Sequence, residues 1–229
     1  MTTSDRIKNI IEKYNPLAIR RRNNMRRQLE NHSITFLTPN CIGGILFHDL
    51  NLQFMSPTVN LMMTQTDFLQ FVLHLDEYLK GEFIFFEDTD YSCPCAYFRV
   101  VGLPDIRVHF THYTSGEDAV KRWNARKERI NRDNMFIFIE ERDGITEHDL
   151  RLLSTLQVKG IVAFTCNQYE NMPYSVYLPQ YHTDGEVGNI LRRNYIDDSR
   201  QYEKIFDFVS WFNEADGKDY NVEKFVKKR

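Results

Sequence analysis

The side chains best able to move a proton lie in two separated parts of the sequence. His48 and Asp49 are adjacent, and Asp105, His109 and His112 surround a short alternating apolar run further along. An imidazole beside a carboxylate can act as a general base, and two imidazoles three residues apart can also hold a metal ion. We expect His109 or His112 to be the base, oriented by Asp105 or Asp49. For each histidine alone, a buried imidazole bound to a backbone carbonyl is the alternative.

A turn with paired glycines is a candidate anion site. Residues 38–44 read TPNCIGG and lie between a predicted strand and a predicted helix. Gly43 and Gly44 would let the backbone approach a ligand closely, and the N–H groups of a following helix could bind a diphosphate together with Asn40. The spacing matches neither standard nucleotide-binding glycine motif, so a purely structural turn is the alternative.

Arginines on a predicted helix form a third candidate. Arg126 and Arg129 lie about one turn apart, where they could clamp a phosphate or a carboxylate. They could equally form surface ion pairs with Glu128 and Asp133. The predicted binding set of this region is Tyr113, Trp123, Arg126, Arg129, Asn134, Arg142 and Asp143.

Two short motifs are compatible with metal chemistry, and both are weak. Asp88-Thr89-Asp90 is a D-x-D, which holds the divalent cation of a nucleotide-sugar in many glycosyltransferases, but aspartate is frequent enough here to produce one by chance. Cys93 and Cys95 form a C-x-C without the C-x-x-C spacing of zinc and redox sites. We therefore expect no metal and four reduced cysteines.

Composition and charge narrow the class of protein. The chain has 229 residues and a formal net charge of −3, which argues against nucleic-acid binding. It has no apolar run of membrane-spanning length, and Met1–Lys13 lacks the apolar core of a secretory signal, so we expect a cytoplasmic protein. The arginines within Arg20–Arg27 either lie on a solvent-exposed helix or attract an acidic partner or the anionic inner face of the membrane.

Strands and helices alternate along most of the chain, which predicts a single α/β domain over residues 1–229. We expect a three-layer α/β/α sandwich with a mostly parallel or mixed sheet and helical segments at 1–30 and 202–229. The predicted strands are Ile34–Thr38, Glu82–Glu87, Tyr97–Val101, Ile106–Phe110, Met135–Ile139, Ile161–Phe164 and Tyr174–Leu178. The predicted internal helices are Thr66–Leu79, Ser115–Ile130 and Glu147–Leu156. Ligands in such folds bind at the carboxyl ends of strands.

Two long stretches resemble a bacterial family found in capsule and exopolysaccharide gene clusters, whose members are often labelled exopolysaccharide biosynthesis proteins and sometimes acetyltransferases. The stretches are Ile34–Leu61, which reads ITFLTPNCIGGILFHDLNLQFMSPTVNL, and Asp105–Asp143, which reads DIRVHFTHYTSGEDAVKRWNARKERINRDNMFIFIEERD. The resemblance implies an α/β/α fold and a role in making surface polysaccharide, but it implies no catalytic residue. We add Ser56 and Asn60, which lie in the first stretch, to the predicted binding set.

These observations predict a transferase that moves a sugar from an activated donor to a glycan or lipid-linked precursor. The donor would be a nucleotide-sugar or, for an acetyltransferase, acyl-coenzyme A. A non-catalytic carbohydrate-binding or assembly protein is the alternative from another class. The transferase hypothesis requires Asn40, His48, His109 and Arg126 to surround one concave pocket.

Overall fold

A computed structural model describes residues 15–228 of the chain. Its strands are β1 (Thr35–Leu37), β2 (Glu82–Phe86), β3 (Cys95–Arg99), β4 (Ile106–His109), β5 (Met135–Glu140), β6 (Gly160–Thr165), β7 (Ser175–Tyr177), β8 (His182–Thr183) and β9 (Glu186–Val187). Its α-helices are α1 (Pro16–Gln28), α2 (Ile42–Leu50), α3 (Gln65–Leu73), α4 (Leu75–Tyr78), α5 (Gly116–Lys127), α6 (Glu147–Leu152) and α7 (Phe208–Glu214). The predicted helix start at Ser4 lies outside the described residues.

The main sheet has the strand order β1-β5-β6-β7, and all of its strand pairs are parallel. The α/β class is therefore confirmed. Its central strands are buried on both faces, as expected for a parallel sheet covered by helices. In β5 the side chains alternate: Ile137 and Ile139 join the core that contains α3 and α6, whereas Phe136 and Phe138 join the core that contains α2 and α7.

A separate antiparallel sheet of order β2-β3-β4 was not expected as a distinct unit. The prediction that Glu82–Glu87 is a strand buried on both faces is wrong, because β2 is an edge strand with Ile84 and Phe85 about two-fifths exposed. Apolar residues on consecutive positions indicated burial, but in this strand the closest ring contact with the core is that of Phe83, which stacks on Phe98 with ring centroids 4.2 Å apart.

Local helix signals in the sequence were accurate where a polar cap was involved. The Ser115 side chain accepts from the backbone N–H of Asp118 and begins α5, and Thr146 forms a reciprocal capping box with Asp149 at the start of α6. The predicted helix Thr66–Leu79 instead forms α3 and α4, which meet at His74.

The end of the chain differs from its prediction. Tyr174–Leu178 was expected to be the last strand, but the β8–β9 hairpin follows it. The predicted C-terminal helix from Tyr202 is a 3₁₀ turn over Gln201–Lys204, and α7 begins separately after the Asp207 N-cap. An interruption of a helix between two apolar clusters is hard to predict from sequence when both clusters face the same core.

The arginine-rich helix α1 lies against the rest of the protein. Arg21 forms an ion pair with buried Asp49, Arg22 contacts Asp198 at 3.2 Å, and Arg26 donates to the Asp49 carbonyl oxygen at 2.7 Å. Three of the arginines therefore hold α1 to the domain. Within residues 15–228, no helix combines the length and apolar character required to cross a membrane.

Candidate functional site

A cavity of about 330 Å³ lies where β1 and β5 end. Its lining includes Asn40, Gln65, Tyr91, His109, Glu140, Arg142 and Asp143. The location follows from the parallel pairing of β1 with β5, because neighbouring parallel strands present their carboxyl ends at one edge. This edge therefore combines residues that are about one hundred positions apart in the sequence.

The Met62–Met63 segment joins the antiparallel sheet to this edge. Met62 pairs with His109 through backbone hydrogen bonds of 2.8 and 2.9 Å, and the Met63 N–H donates to the Pro39 carbonyl at 2.9 Å. One extended segment thus fixes the end of β4 next to the end of β1. That connection explains how His109 reaches a cavity built on the parallel sheet.

Glu140 is the most deeply buried ionisable side chain of the cavity. It is 2% exposed, and its carboxylate accepts a hydrogen bond from the Asn40 side-chain amide. Burial raises the pKa of Glu140 to about 7, and this effect outweighs the opposing influence of the Arg142 charge and the Asn40 hydrogen bond. A carboxyl group with such a pKa can both accept and donate a proton near neutral pH.

Asn40 and Gln65 fix the position of Glu140. The Asn40 side-chain oxygen accepts from the Ile42 N–H at 3.0 Å, which directs the amide nitrogen towards Glu140. The backbone N–H of Glu140 donates to the Gln65 side-chain oxygen at 2.9 Å. Asn40, just before α2, therefore holds the carboxylate, and Gln65 at the start of α3 holds the backbone of Glu140.

The loop after β5 continues this network. The Gln65 N–H donates to the Asp143 carboxylate at 3.2 Å, and the Arg142 guanidinium contacts the same carboxylate at 3.4 Å. Asp143 has a φ of 56°, in the left-handed region that non-glycine residues adopt infrequently. The backbone turns sharply here, so Glu140, Arg142 and Asp143 all line one cavity.

The paired glycines allow α2 to pack closely. A Cβ atom on Gly43 would lie 2.9 Å from the Thr38 hydroxyl oxygen, and one on Gly44 would lie 3.1 Å from the Asn60 side-chain oxygen. Both positions therefore face protein atoms. Asn60 has a φ of 66° and belongs to this packed turn, and the fully buried Ser56 hydroxyl contacts Thr58 at 3.0 Å.

His109 lines the cavity but is itself buried. Its ring lies 4.1 Å from the Tyr91 ring, and its Nδ1 lies 3.4 Å from the Cys95 sulfur. Burial first, and then the Arg107 charge, lower the pKa of His109, which favours the neutral imidazole.

His112 is paired with a different cysteine. Its Nε2 lies 3.6 Å from the Cys41 sulfur, immediately before the first turn of α2. Burial raises the pKa of the Cys41 thiol, which favours the protonated form. The sequence had suggested His109 and His112 as interchangeable bases, but the structure gives each a separate thiol neighbour.

Of the four residues required to share a pocket, Asn40 and His109 line the cavity, whereas His48 and Arg126 lie elsewhere. His48 is at the end of α2 with a side chain 73% exposed, and its Asp49 neighbour is committed to the ion pair with Arg21. Asp105 precedes β4 and pairs with Arg99 at 2.6 Å, so it lies at the opposite end of that strand from His109. The expectation that Asp105 or Asp49 orients the histidine base is therefore not met.

The two arginines of the predicted clamp are separated, because Arg126 is buried whereas Arg129 is exposed. Arg126 is 5% exposed, and it donates to the Val59 carbonyl at 2.8 Å and to the Tyr113 hydroxyl at 2.5 Å. Arg129 donates to the Phe54 carbonyl at 3.3 Å. These bonds satisfy backbone acceptors of the loop before α3, which is a structural role that sequence spacing cannot reveal.

The remaining predicted residues also have structural surroundings. Trp123 packs edge-on against Phe98 with ring centroids 4.9 Å apart. Asn134 exchanges side-chain hydrogen bonds with Asn31 at the start of β5, away from the carboxyl end. Asp88 of the D-x-D motif is bonded to Arg107.

Glu140 and its partner Gln65 were absent from the predicted site. The available signal was the run MFIFIEE, in which two carboxylates follow five apolar residues at the end of a predicted buried strand. A charged residue that extends a buried strand is seldom accommodated without a specific partner. Period-two alternation would have placed Glu140 and Glu141 on opposite faces.

A larger cavity of about 540 Å³ lies at the other end of the sheet, beside Gly160. Of its charged lining residues, Lys224 and Glu214 pair with each other at 3.0 Å. Both groups of that pair are more than half exposed, whereas the smaller cavity contains the buried Glu140 carboxyl group. We therefore place the candidate site at the carboxyl ends of β1 and β5.

The fold and the cavity define an α/β protein with a buried carboxyl group at the carboxyl edge of a parallel sheet. The chain belongs to the family described as Domain of unknown function (DUF1919), whose model matches residues 11–213. It is 34% identical over 215 residues to an uncharacterized protein of Haemophilus influenzae strain Rd, and the match covers 94% of this chain and 100% of that protein. Neither description names an activity, so the functional argument rests on the site.

Proposed function

We propose that this chain is a group-transfer enzyme in which Glu140 is the general base. The observation that supports this most strongly is the buried Glu140 carboxyl, whose pKa of about 7 suits proton transfer at neutral pH and which lines a cavity open to a ligand. The resemblance to polysaccharide biosynthesis proteins supplies the substrate class: a sugar from an activated donor and a hydroxyl group of a glycan or lipid-linked precursor.

The reaction would use the carboxylate form of Glu140. As the acceptor oxygen forms a bond to the sugar C1, its proton passes to Glu140, and the bond from C1 to the donor phosphate breaks. The leaving nucleoside diphosphate carries the electron pair away, and the Arg142 charge at the same cavity would stabilise it. Asn40 would hold the carboxylate towards the acceptor.

A specific observation supports acyl transfer as a second candidate. The Cys41 thiol lies 3.6 Å from His112 Nε2, an arrangement in which the imidazole can take the thiol proton as the sulfur attacks an acyl thioester. The free thiol of coenzyme A would leave, and the acyl group would remain on Cys41. The raised pKa of Cys41 opposes this reaction in the resting state, so we favour the Glu140 mechanism.

Ligand-dependent thermal stability separates the candidates. A nucleotide-sugar should raise the melting temperature of the wild-type protein and of Glu140→Gln alike, because the substitution removes the base and leaves the cavity. Release of nucleoside diphosphate with an acceptor should occur with wild type only. A mass increase on Cys41 after incubation with acyl-coenzyme A would favour the second candidate. Stabilisation by a glycan with no turnover of either donor would indicate a carbohydrate-binding protein.

The proposed setting is the cytoplasm, with contact at the inner face of the membrane. All four cysteines are unpaired, as is usual in a reducing compartment. Exposed Arg20 and Arg27 line an open surface of α1 and could attract anionic lipid. Sedimentation with vesicles containing phosphatidylglycerol should be stronger for wild type than for Arg20→Gln/Arg27→Gln. Equal sedimentation would contradict the contact.

A further inference from the structure

Two cysteines and a histidine converge beside the cavity. Cys95 begins β3 and pairs in register with His109 of β4, and Cys93, two residues earlier, lies close to both. One donor atom from each residue lies within 4.8 Å of the other two. Among residues 15–228 this is the group of histidine, cysteine and carboxylate side chains with a spacing suited to one metal ion.

The distance between the Cys95 sulfur and the His109 Nδ1 suits tetrahedral coordination. With zinc bonds of about 2.3 Å to sulfur and 2.0–2.1 Å to nitrogen, ideal tetrahedral angles place a sulfur and a nitrogen ligand about 3.6 Å apart. The Cys95 sulfur and His109 Nδ1 are 3.4 Å apart. Pairing of β3 with β4 therefore sets one edge of the tetrahedron before any ion binds.

We propose that Cys93, Cys95 and His109 form a zinc site. Thiolate and imidazole are preferred ligands of Zn²⁺, whereas Mg²⁺ and Ca²⁺ prefer oxygen. On binding, the two thiol protons leave to the solvent, and two thiolates neutralise the dipositive ion. A neutral complex suits this location because Cys95 is fully buried and His109 is 6% exposed.

Three protein ligands leave a fourth position for water or a substrate atom, as in catalytic zinc sites. His109 also lines the Glu140 cavity, so the proposed ion would lie at the wall of that cavity. Its presence does not depend on the group-transfer reaction, and its test uses no substrate.

The test is the zinc content of the full-length protein. Wild type is prepared with zinc, dialysed against a weak chelator and analysed by native mass spectrometry and elemental analysis. We expect about one zinc per chain, and loss of that zinc in Cys93→Ser and His109→Ala. Cys166→Ser is the matched control, because Cys166 is also a free cysteine but its thiol contacts the Gly185 carbonyl at 3.0 Å, away from the proposed ligands. It should keep the zinc.

Cobalt provides a second readout that does not depend on folding alone. Cobalt-substituted wild type should show near-ultraviolet absorption from cobalt–thiolate bonds. Because Cys93 is partly exposed, Cys93→Ser should retain the wild-type circular dichroism but lose part of this absorption. Wild type without zinc after dialysis, or Cys93→Ser with full occupancy and an unchanged cobalt spectrum, would overturn the proposal.

Discussion

Glu140 and Glu141 are neighbours in sequence and have almost equally low solvent exposure, yet their pKa values shift in opposite directions. Glu140 accepts one side-chain hydrogen bond, from Asn40, and burial raises its pKa to about 7. Glu141 accepts from the backbone N–H of Cys166 at 2.7 Å, from both the backbone and the side chain of Asn167, and from the Tyr169 hydroxyl. These bonds lower the pKa of Glu141 despite its burial.

The comparison indicates that several hydrogen-bond donors can keep a buried carboxylate charged, whereas a single donor does not offset the burial of Glu140. Glu141 ties the end of β5 to the loop after β6, and its charge is stabilised where it lies. Glu140 faces a cavity with little support for its charge, so it exchanges a proton near neutral pH. Four predictions test this difference.

Glu140→Gln should have the largest effect, and the effect should be on catalysis. The amide can still accept from Asn40 but cannot take a proton, so transfer should fall by about 10²–10⁴-fold. Stability at neutral pH should not decrease, because an uncharged group replaces a buried charge. Product release and urea unfolding measure the two effects. Full activity in a folded Glu140→Gln protein would exclude Glu140 as the base.

The pH dependence of stability should identify Glu140 directly. Its pKa rises from 4.5 in the unfolded chain to about 7 in the folded protein, so between these values the folded state binds more protons. Stability should therefore fall as pH rises from about 4.5 to 7, by about 3 kcal/mol from this group. Urea unfolding of wild type and Glu140→Gln at several pH values measures the difference between their free energies of unfolding. This difference should be absent near pH 4.

Glu141→Gln should show the opposite pattern. The lost charge-assisted hydrogen bonds should cost about 2 kcal/mol of unfolding free energy at pH 7. Because the folded pKa of Glu141 is lowered, its contribution is present above the unfolded value and is lost as pH falls through the folded one. The penalty of the substitution, measured by urea unfolding, should therefore shrink in acid. A penalty that grows in acid would contradict the assignment.

Asn40→Ala, which removes a hydrogen-bond donor from Glu140, should have the smallest effect. Removing the single side-chain donor to Glu140 should cost about 1 kcal/mol and raise the pKa of Glu140 further. The loss of stability with rising pH should therefore occur at a higher pH in the variant than in wild type. Thr155→Ala, at an exposed hydroxyl in the 3₁₀ turn after α6, is a control that should leave this pH unchanged.

Sequence was most informative where structure is local. The predicted helices from Ser115 and Glu147 begin where a hydroxyl group, of Ser115 or Thr146, accepts a hydrogen bond from the N–H three residues further on. The buried strand β5 follows from its apolar run, and its parallel pairing follows from alternation of strands with helices. These features depend on neighbours within one element.

The site could be predicted only in part because its chemistry depends on distant partners. Asn40 reaches Glu140 across one hundred positions, and β-pairing brings His109 to Cys95. Arg126 looked free to bind an anion because the sequence does not show that the Val59 carbonyl lies beneath it. Side-chain type indicates what chemistry is available, but the surrounding donors decide which group remains reactive.

The most direct test is a proton titration of Glu140 itself. Infrared difference spectra between wild type and Glu140→Gln, recorded from pH 4 to 9, report the protonated carboxyl of this one residue. We expect a carboxylic acid band that disappears with a midpoint near pH 7. A midpoint close to 4.5, the ordinary value for glutamate, would show that the cavity does not perturb this group and would contradict its assignment as the base.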